Sequence, residues 1–298
     1  MRPNTLDEYI DWEKLSQENV EKLNHLMRES NLDGVIIDSM DSFRWLTGVP
    51  LPKSWFYRHT HTAIQPKGAA EPAIIGLDFY EPVTKSWFKD VRPLPFGGEL
   101  HQPMYVDKWP DLCAKMVKDC GISDGRIGLD PETPYILKDA LAGRLPNAKI
   151  VDAGDMLRKA RSIKNEEEVK AIRVACAIGE MGMKAALEAI EEGKREREIA
   201  AEVVHALAYY GAEEVLGDLP AVVSGRRPYP YLRASEKIIR YGELVRVDLG
   251  AVYGGYYSDF SRTRYVGREV PAEITKTYDA LLEAHLAGIN AVKPGVTN

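Results

Sequence analysis

The residues that decide the fold form the stretch Glu243-Leu-Val-Arg-Val-Asp248-Leu-Gly-Ala-Val-Tyr-Gly-Gly-Tyr-Tyr-Ser-Asp259-Phe-Ser-Arg-Thr263. β-branched and aromatic residues lie on both sides of Tyr253-Gly254-Gly255, which is typical of a β-hairpin. Glycine supplies the positive φ that a tight hairpin turn requires. With the turn centred between Tyr253 and Gly254, position 248 pairs with position 259. The sequence therefore predicts that Asp248 and Asp259 oppose each other on one sheet face.

Two aspartates in this arrangement need a compensating charge. Directly opposed residues have Cβ atoms roughly 5 Å apart, and like charges at that distance destabilise the pair. Two carboxylates so placed suit two hard or borderline metals about 3.5–4 Å apart, as in two-metal hydrolases. The spacing alone leaves open the alternative of a solvated pair of turn residues.

The hairpin pattern extends over three segments: Val247-Asp248-Leu-Gly-Ala, Gly255-Tyr256-Tyr-Ser258-Asp259-Phe-Ser261-Arg262-Thr263 and Val266-Gly267. It resembles the central hairpin of the pita-bread metallopeptidase family, which includes methionine aminopeptidase, prolidase, aminopeptidase P and creatinase. A pattern of this length is more specific than a short motif. In metal-dependent members its aspartates are the first two of five ligands. The resemblance implies two divalent ions (Mn, Co, Zn or Fe), with Asp248 chelating one and Asp259 bridging both.

Three further segments resemble the two-domain branch of this family: Ser42-Phe-Arg-Trp-Leu-Thr-Gly48, Leu157-Arg158-Lys-Ala-Arg161-Ser-Ile-Lys164-Asn-Glu-Glu-Glu168 and Lys293-Pro294-Gly295-Val296-Thr297. They are similar to a turn of creatinase and prolidase N-terminal domains, to the junction that opens the catalytic domain, and to the loop after its third helix. The resemblance implies an α/β creatinase/prolidase-like N-terminal domain at residues 1–160. An α+β pita-bread domain, incomplete at its C-terminus, then occupies residues 161–298.

The resemblance also shows what this chain lacks. In the family one His and two Glu complete the ligand set, and they lie beyond the Lys293-Pro294-Gly295 loop. The sequence ends at Asn298, so we expect a fragment, a split protein or a degenerate family member with two of the five ligands. A catalytic metal normally has three or more protein ligands. We therefore expect this chain alone to bind metal weakly and to be inactive.

The segment that ends at Tyr231 resembles the family's substrate-side loop. Peptidases of this family carry a histidine eleven residues before the glycine that matches Gly242, and this chain has Tyr231 there. A phenol, with an ordinary pKa of about 10, stays protonated near neutral pH, whereas imidazole titrates near 6.5. Tyr231 is therefore the candidate catalytic residue, and its chemistry favours a non-peptide substrate.

The resemblance further implies a homodimer. In such relatives the N-terminal domain of one subunit leans over the active site of the other. Trp55, Arg58 and His61 are therefore candidates for substrate contact in trans.

Composition and charge exclude several classes of partner. The 298 residues carry a net charge of −6, so no global basic field attracts nucleic acid or anionic lipid. The N-terminal residues lack the apolar core of a signal peptide, and no run approaches transmembrane length. The three cysteines do not make a disulfide framework. We expect a cytoplasmic enzyme without nucleic-acid or membrane partners.

Hydrophobic periodicity predicts the order of the elements. Strands are expected at 34–38, 60–65, 73–75 and 126–130, and helices at 17–30 and 111–120, which indicates a sheet-centred first domain. The next helix follows Asn165, with Glu168 three residues on as a capping box. Helices are also expected at 195–210 and 272–292.

These observations predict a metal-dependent hydrolase resembling Xaa-Pro aminopeptidase or prolidase, with a small peptide as substrate. One alternative is a creatinase-like C–N hydrolase or lyase acting on a small non-peptide molecule, which Tyr231 favours. Another is a pseudoenzyme that binds a peptide or protein, which the missing ligands favour. The intact pair of Asp248 and Asp259 opposes both alternatives.

Overall fold

The structure, a computed structural model, describes residues 9–49, 61–77, 88–94, 104–217, 219–225 and 232–297, without the side chains of 104–107. The chain divides into two compact units. The first consists of Met1–Gly179, Leu207–Leu216 and Gly250–Ser258. The second consists of Glu180–Ala206, Gly217–Leu249 and Asp259–Asn298.

Helices and strands alternate through the first half of the chain. The helices are α1 (Trp12–Glu29), α2 (Met40–Thr47), α3 (Met104–Asp119), α4 (Tyr135–Arg144), α5 (Gly154–Ser162), α6 (Glu166–Ala189), α7 (Glu196–Tyr209) and α8 (Ala272–Ala291). The strands are β1 (Gly34–Ile37), β2 (Thr62–Pro66), β3 (Ala73–Leu77), β4 (Val91–Leu94), β5 (Arg126–Leu129), β6 (Lys149–Asp152), β7 (Glu214–Val215), β8 (Ala221–Ser224), β9 (Leu244–Leu249), β10 (Ala251–Tyr253), β11 (Tyr256–Tyr257) and β12 (Phe260–Tyr265).

The first unit is built on a six-stranded mixed sheet in the order β4-β3-β2-β1-β5-β6. Its central strand, β1, is antiparallel to β2 and parallel to β5. All four residues of β1 are buried, as expected for an apolar run in a sheet covered on both faces. The four predicted strands are all present, with ends that differ by one or two residues. The sheet-centred first domain is therefore confirmed.

Two hydrophobic clusters cover the two faces of this sheet. Successive side chains of a strand point to opposite faces, and accordingly Val35 belongs to one cluster and Ile36 to the other. The first cluster includes Phe43 of α2, and the second includes Trp109 of α3. Trp109 Nε1 donates to Thr62 Oγ1 at 2.6 Å, so its buried N–H has a partner.

Local capping explains where two helices begin. α1 begins at Trp12, five residues before the predicted start at position 17, because the Asp11 side chain accepts a hydrogen bond from the backbone N–H of Lys14. The capping box predicted ahead of α6 is confirmed. The Asn165 N–H donates to Glu168 Oε2 at 2.9 Å, and the Glu168 N–H donates to Asn165 Oδ1 at 2.8 Å.

The second unit contains a three-stranded antiparallel sheet in the order β12-β9-β8. Val245, Val247 and Leu249 of β9 are buried, and Arg246 and Asp248 between them are partly exposed. This period of two places Asp248 on the more solvent-exposed face of the strand. The helix predicted at 272–292 is present as α8, and every residue in it is at least partly exposed.

Candidate active-site hairpin

The hairpin turn consists of the two glycines. Tyr253 pairs with Tyr256, and Gly254 and Gly255 between them have φ of 58° and 82°. Positive φ at both central residues defines the type I′ turn that suits the twist of a hairpin. The turn is therefore centred between Gly254 and Gly255, and the prediction that placed it between Tyr253 and Gly254 is wrong by one residue. A Cβ on Gly255 would lie 2.9 Å from Arg44 Nε, so close packing also requires glycine there.

Moving the turn by one residue moves the pairing by two. β9 and β12 pair with Asp248 opposite Ser261, so Asp248 does not lie directly opposite Asp259 as predicted. A two-residue change preserves the side of the strand, because side chains alternate with a period of two. Asp259 thus becomes a diagonal neighbour of Asp248, a relation in which Cα atoms are roughly 7–8 Å apart.

The charges around Asp248 indicate that the two carboxylates are close. Burial raises the pKa of Asp248, the positive charge of Arg246 lowers it, and the negative charge of Asp259 raises it further. The Asp248 side chain retains 22% of its exposure, and Asp259 is exposed. Repulsion between two accessible carboxylates is the condition that a divalent cation relieves.

Arg246 is a member of the site that the sequence interpretation missed. Its Nη1 donates to Asp248 Oδ2 at 3.4 Å, and its Nη2 is buried without an acceptor among the described residues. Arg246 precedes Asp248 by two positions, so the strand period was a signal that could have identified it. The Arg246 guanidinium is therefore the positively charged neighbour of the Asp248 carboxylate in this structure.

The donor set fits a hard or borderline metal in part. Asp248 and Asp259 provide carboxylate oxygens, the ligand type that Mg²⁺ and Mn²⁺ prefer. In the part of the chain that the structure describes, no group of three or more His, Cys, Asp or Glu residues could hold a metal ion. Among the described residues the hairpin therefore offers two candidate metal ligands, Asp248 and Asp259.

A buried carboxylate near the hairpin forms a second polar cluster that the sequence did not reveal. Glu196, at the start of α7, is 0% exposed. Its Oε1 accepts hydrogen bonds from the N–H and Oγ of Ser224 at 2.8 and 2.9 Å. Its Oε2 accepts from the N–H and Oγ of Ser235 at 3.1 and 2.6 Å. Glu196 thus joins the two ends of the segment that contains Tyr231.

A lysine extends this cluster to the base of β9. Lys237 Nζ donates to Ser224 Oγ and to Glu243 Oε2, both at 2.7 Å. Burial acts to raise the pKa of Glu243, but the hydrogen bond from Lys237 and other contacts lower it overall. The strand that carries Asp248 is therefore tied to the ends of the predicted substrate-side loop.

The other predicted site residues are placed as follows. Tyr231, Trp55 and Arg58 lie outside the described residues. His61 is 2% exposed and packs against Phe43, with ring centroids 5.7 Å apart. Burial lowers the pKa of His61 to about 4. The imidazole is thus a neutral, buried group in this structure, and its contact with a substrate in trans stays a prediction.

The fold and the paired aspartates agree with the class of protein that two family matches define. Residues 19–163 match the Creatinase/Prolidase N-terminal domain, and residues 170–298 match Metallopeptidase family M24. The chain therefore belongs to the M24 metallopeptidases, in the form that carries a creatinase/prolidase-type N-terminal domain. This result confirms both the predicted family and the predicted succession of an α/β domain and a pita-bread domain.

Proteins similar to this chain include Xaa-Pro dipeptidases and an ectoine hydrolase. The chain is 38% identical to the Xaa-Pro dipeptidase of Pyrococcus horikoshii over 172 residues, which are 57% of this chain and 48% of that enzyme. It thus spans about half the length of this relative. The solved Xaa-Pro dipeptidase from Bacillus anthracis is 26% identical, with a TM-score of 0.77 over 95% of this chain and 74% of that one. The ectoine hydrolase of Halomonas elongata is 27% identical over 284 residues, 90% of this chain and 70% of that enzyme.

Among the residues that the structure describes, none forms a helix that is both long and apolar enough to cross a membrane.

Proposed function

We propose that this chain forms part of a metal-dependent hydrolase of the Xaa-Pro dipeptidase type, in which Asp248 and Asp259 are metal ligands. The observation that carries the proposal is the hairpin itself, with two neighbouring carboxylates beyond a two-glycine turn. The similarity to Xaa-Pro dipeptidases supports a dipeptide with a proline in its second position as the substrate.

The hairpin residues have distinct roles in this proposal. Asp248 is held by pairing of β9 on both sides, opposite Ser261 and Ala221, so its carboxylate is the better fixed of the two ligands. Asp259 precedes β12 and is exposed, so it is free to join two ions. A bound divalent metal would lower the pKa of a water molecule and polarise the scissile carbonyl group.

The positive charge of Arg246 affects metal binding at Asp248 in this proposal. The guanidinium partly neutralises Asp248 in this structure, and a metal held by Asp248 would compete with it. A positive group 3.4 Å from a ligand oxygen opposes a second cation at that oxygen. We therefore infer that Arg246 weakens metal binding at Asp248 compared with an apolar side chain at this position.

A second candidate function is supported by two observations. Tyr231 stands where the resemblance places a histidine, and a phenol does not titrate near neutral pH. The ectoine hydrolase matches 90% of this chain, so a relative with a non-peptide substrate shares nearly the whole of it. A C–N hydrolase or lyase acting on a small non-peptide molecule is therefore the alternative.

The two candidates are separated by substrate. The full-length protein, supplied with Mn²⁺ or Co²⁺, is assayed on a series of Xaa-Pro dipeptides and on ectoine. Metal-dependent cleavage of dipeptides, lost in Asp259→Asn and retained in the exposed-helix control Asp279→Asn, supports the proposal. Cleavage of ectoine alone supports the alternative. Dipeptide cleavage that Asp259→Asn leaves intact overturns the assignment of the ligands.

A further inference from the structure

A pocket of about 470 Å³ lies in the first unit, apart from the aspartates of the hairpin. Its walls come from α2, from the C-terminal part of α5, from the first turns of α6 and from the turn between β10 and β11. This volume lies in the range of small-molecule sites, which is about 300–1,000 Å³. Every lining residue among those described belongs to the first unit.

The lining is rich in cations. Its basic side chains are those of Arg44, Arg158, Arg161 and Lys164, and its acidic side chains are those of Asp41 and Glu168. Trp45 and Ile172 add apolar surface to the same walls. A concave surface with excess positive charge concentrates anions.

Part of this charge is already neutralised. Arg44 pairs with Glu213, and Arg158 pairs with Asp155. The Glu168 carboxylate has partners for both of its oxygens. Its Oε1 accepts a hydrogen bond from the Tyr256 hydroxyl at 3.2 Å. Its Oε2 lies 3.6 Å from Lys22 Nζ. Asp41 is the other carboxylate of the lining, so the four basic side chains of the described lining outnumber its two acidic ones.

Two cations lack a carboxylate partner in the described part of the chain. Arg161 Nη1 donates to the hydroxyl of Ser42 at 3.1 Å, and Lys164 Nζ donates to the carbonyl oxygen of Ser162 at 3.4 Å. Guanidinium has five N–H donors in a planar fork that matches carboxylate and phosphate oxygens. Arg161 and Lys164 thus have unused donors beside an open pocket.

Two buried donors in the same walls also lack acceptors. Arg44 and Trp45 are each 4% exposed, and neither Arg44 Nε nor Trp45 Nε1 has a hydrogen-bond partner among the described residues. Buried polar groups in native proteins are nearly always paired. Both donor atoms are buried behind the pocket surface, so Arg161 and Lys164 supply its accessible donors.

We propose that this pocket binds a small polyanion that carries phosphate or carboxylate groups. Arg161 and Lys164 make the principal contacts with its charged oxygens. Trp45 and Ile172 face the less polar part of the molecule. The site lies in the creatinase-type half of the chain and is independent of the hydrolytic function proposed above.

The test is isothermal titration of the full chain with pyrophosphate and with citrate at matched ionic strength. We expect saturable binding of one anion per chain, weakened at least fivefold in Arg161→Gln and in Lys164→Gln. Lys138→Gln, on the exposed face of α4, removes the same charge outside the pocket and should leave the affinity unchanged. Tighter binding of pyrophosphate identifies a phosphate ligand, and tighter binding of citrate identifies a carboxylate ligand.

Several outcomes overturn the proposal. Titration heats that do not saturate, or that depend only on ionic strength, show that Arg161 and Lys164 are solvated side chains that bind no specific anion. Equal loss of affinity in Lys138→Gln shows a general effect of net charge. Lys164 is exposed, so its substitution is not expected to disturb folding, and the thermal midpoint of each variant checks this. Mn²⁺ affinity measured in the same variants separates this site from the hairpin, because it should not change.

Discussion

Substitution of Glu196 tests the tie between α7 and the substrate-side loop. The carboxylate is fully buried and accepts four hydrogen bonds, two from Ser224 and two from Ser235. In Glu196→Ala the two serine hydroxyls can turn toward other acceptors, but the two backbone N–H groups cannot. A buried donor left without a partner costs about 1–3 kcal/mol.

The expected loss of stability follows from these groups. The buried N–H of Ser224 left without an acceptor costs about 1–3 kcal/mol, and the partly exposed N–H of Ser235 costs less. Removal of the buried Glu196 side chain also leaves a cavity. Because the four hydrogen bonds share one carboxylate and are not additive, we expect Glu196→Ala to lower the free energy of unfolding by about 3–5 kcal/mol. Glu196→Gln keeps the shape but turns one acceptor into a donor, so we expect a smaller loss of about 1–3 kcal/mol.

Urea denaturation followed by circular dichroism measures the size of the loss, and hydrogen exchange by mass spectrometry measures its location. Protection should fall in peptides that cover 219–225 and 232–240, on either side of the loop. Glu202→Gln changes an exposed carboxylate of the same helix and is the control, with no loss expected. A Glu196→Ala protein within 1 kcal/mol of wild type, or one whose exchange rises evenly along the chain, would refute the reasoning.

Three further predictions concern pH, metal affinity and substrate. The pKa of His61 is about 4 in the folded protein and about 6.5 in the unfolded chain. As the pH falls from 6.5 to 4, the unfolded chain binds a proton that the folded protein does not, so the free energy of unfolding should fall by about 3 kcal/mol. His61→Gln should flatten this dependence and His25→Gln should not, as read from urea midpoints between pH 4 and 7. Arg246→Val should tighten Mn²⁺ binding about three- to tenfold by removing a neighbouring charge, and an unchanged affinity in titration would show that the ion pair does not compete with the metal. Tyr231→His should raise Xaa-Pro hydrolysis by the full-length protein, since general acid–base groups contribute ~10²–10⁴ in rate, and equal kinetics in both forms would show that Tyr231 does not act on the substrate.

The hairpin shows what the sequence could and could not predict. The glycine pair and the alternation of β9 predicted a turn and a shared face for the aspartates. The pairing itself depends on which residues occupy the centre of the turn, and Gly254-Gly255 fills both central positions where the sequence allowed Tyr253-Gly254. A one-residue choice in the turn thus decided whether Asp248 meets Asp259 or Ser261.

Contacts between residues that are distant in the chain could not be predicted from the sequence. The segment before Gly48 was interpreted as a turn, but it is the helix α2, ended by Gly48 with a φ of 66°. The same helix buries Arg44 because Glu213, 169 positions later, pairs with it. Glu196 falls in the first turn of the helix predicted at 195–210, where an acidic residue is ordinary. Its hydrogen bonds depend on two serines that only the folded chain brings to it. Such residues carry no local pattern, since their partners lie on other elements.

Mn²⁺ binding to the chain tests the central claim most directly. Electron paramagnetic resonance measures free Mn²⁺ during titration of the wild type, of Asp248→Asn and Asp259→Asn, and of the exposed-helix control Asp279→Asn. We predict saturable but weak binding by the wild type, since two carboxylates form only part of a ligand set. Each hairpin substitution should weaken it at least fivefold, and the control should match the wild type. Binding that both hairpin variants retain in full, or no saturable binding at millimolar Mn²⁺, would contradict the assignment of Asp248 and Asp259 as metal ligands.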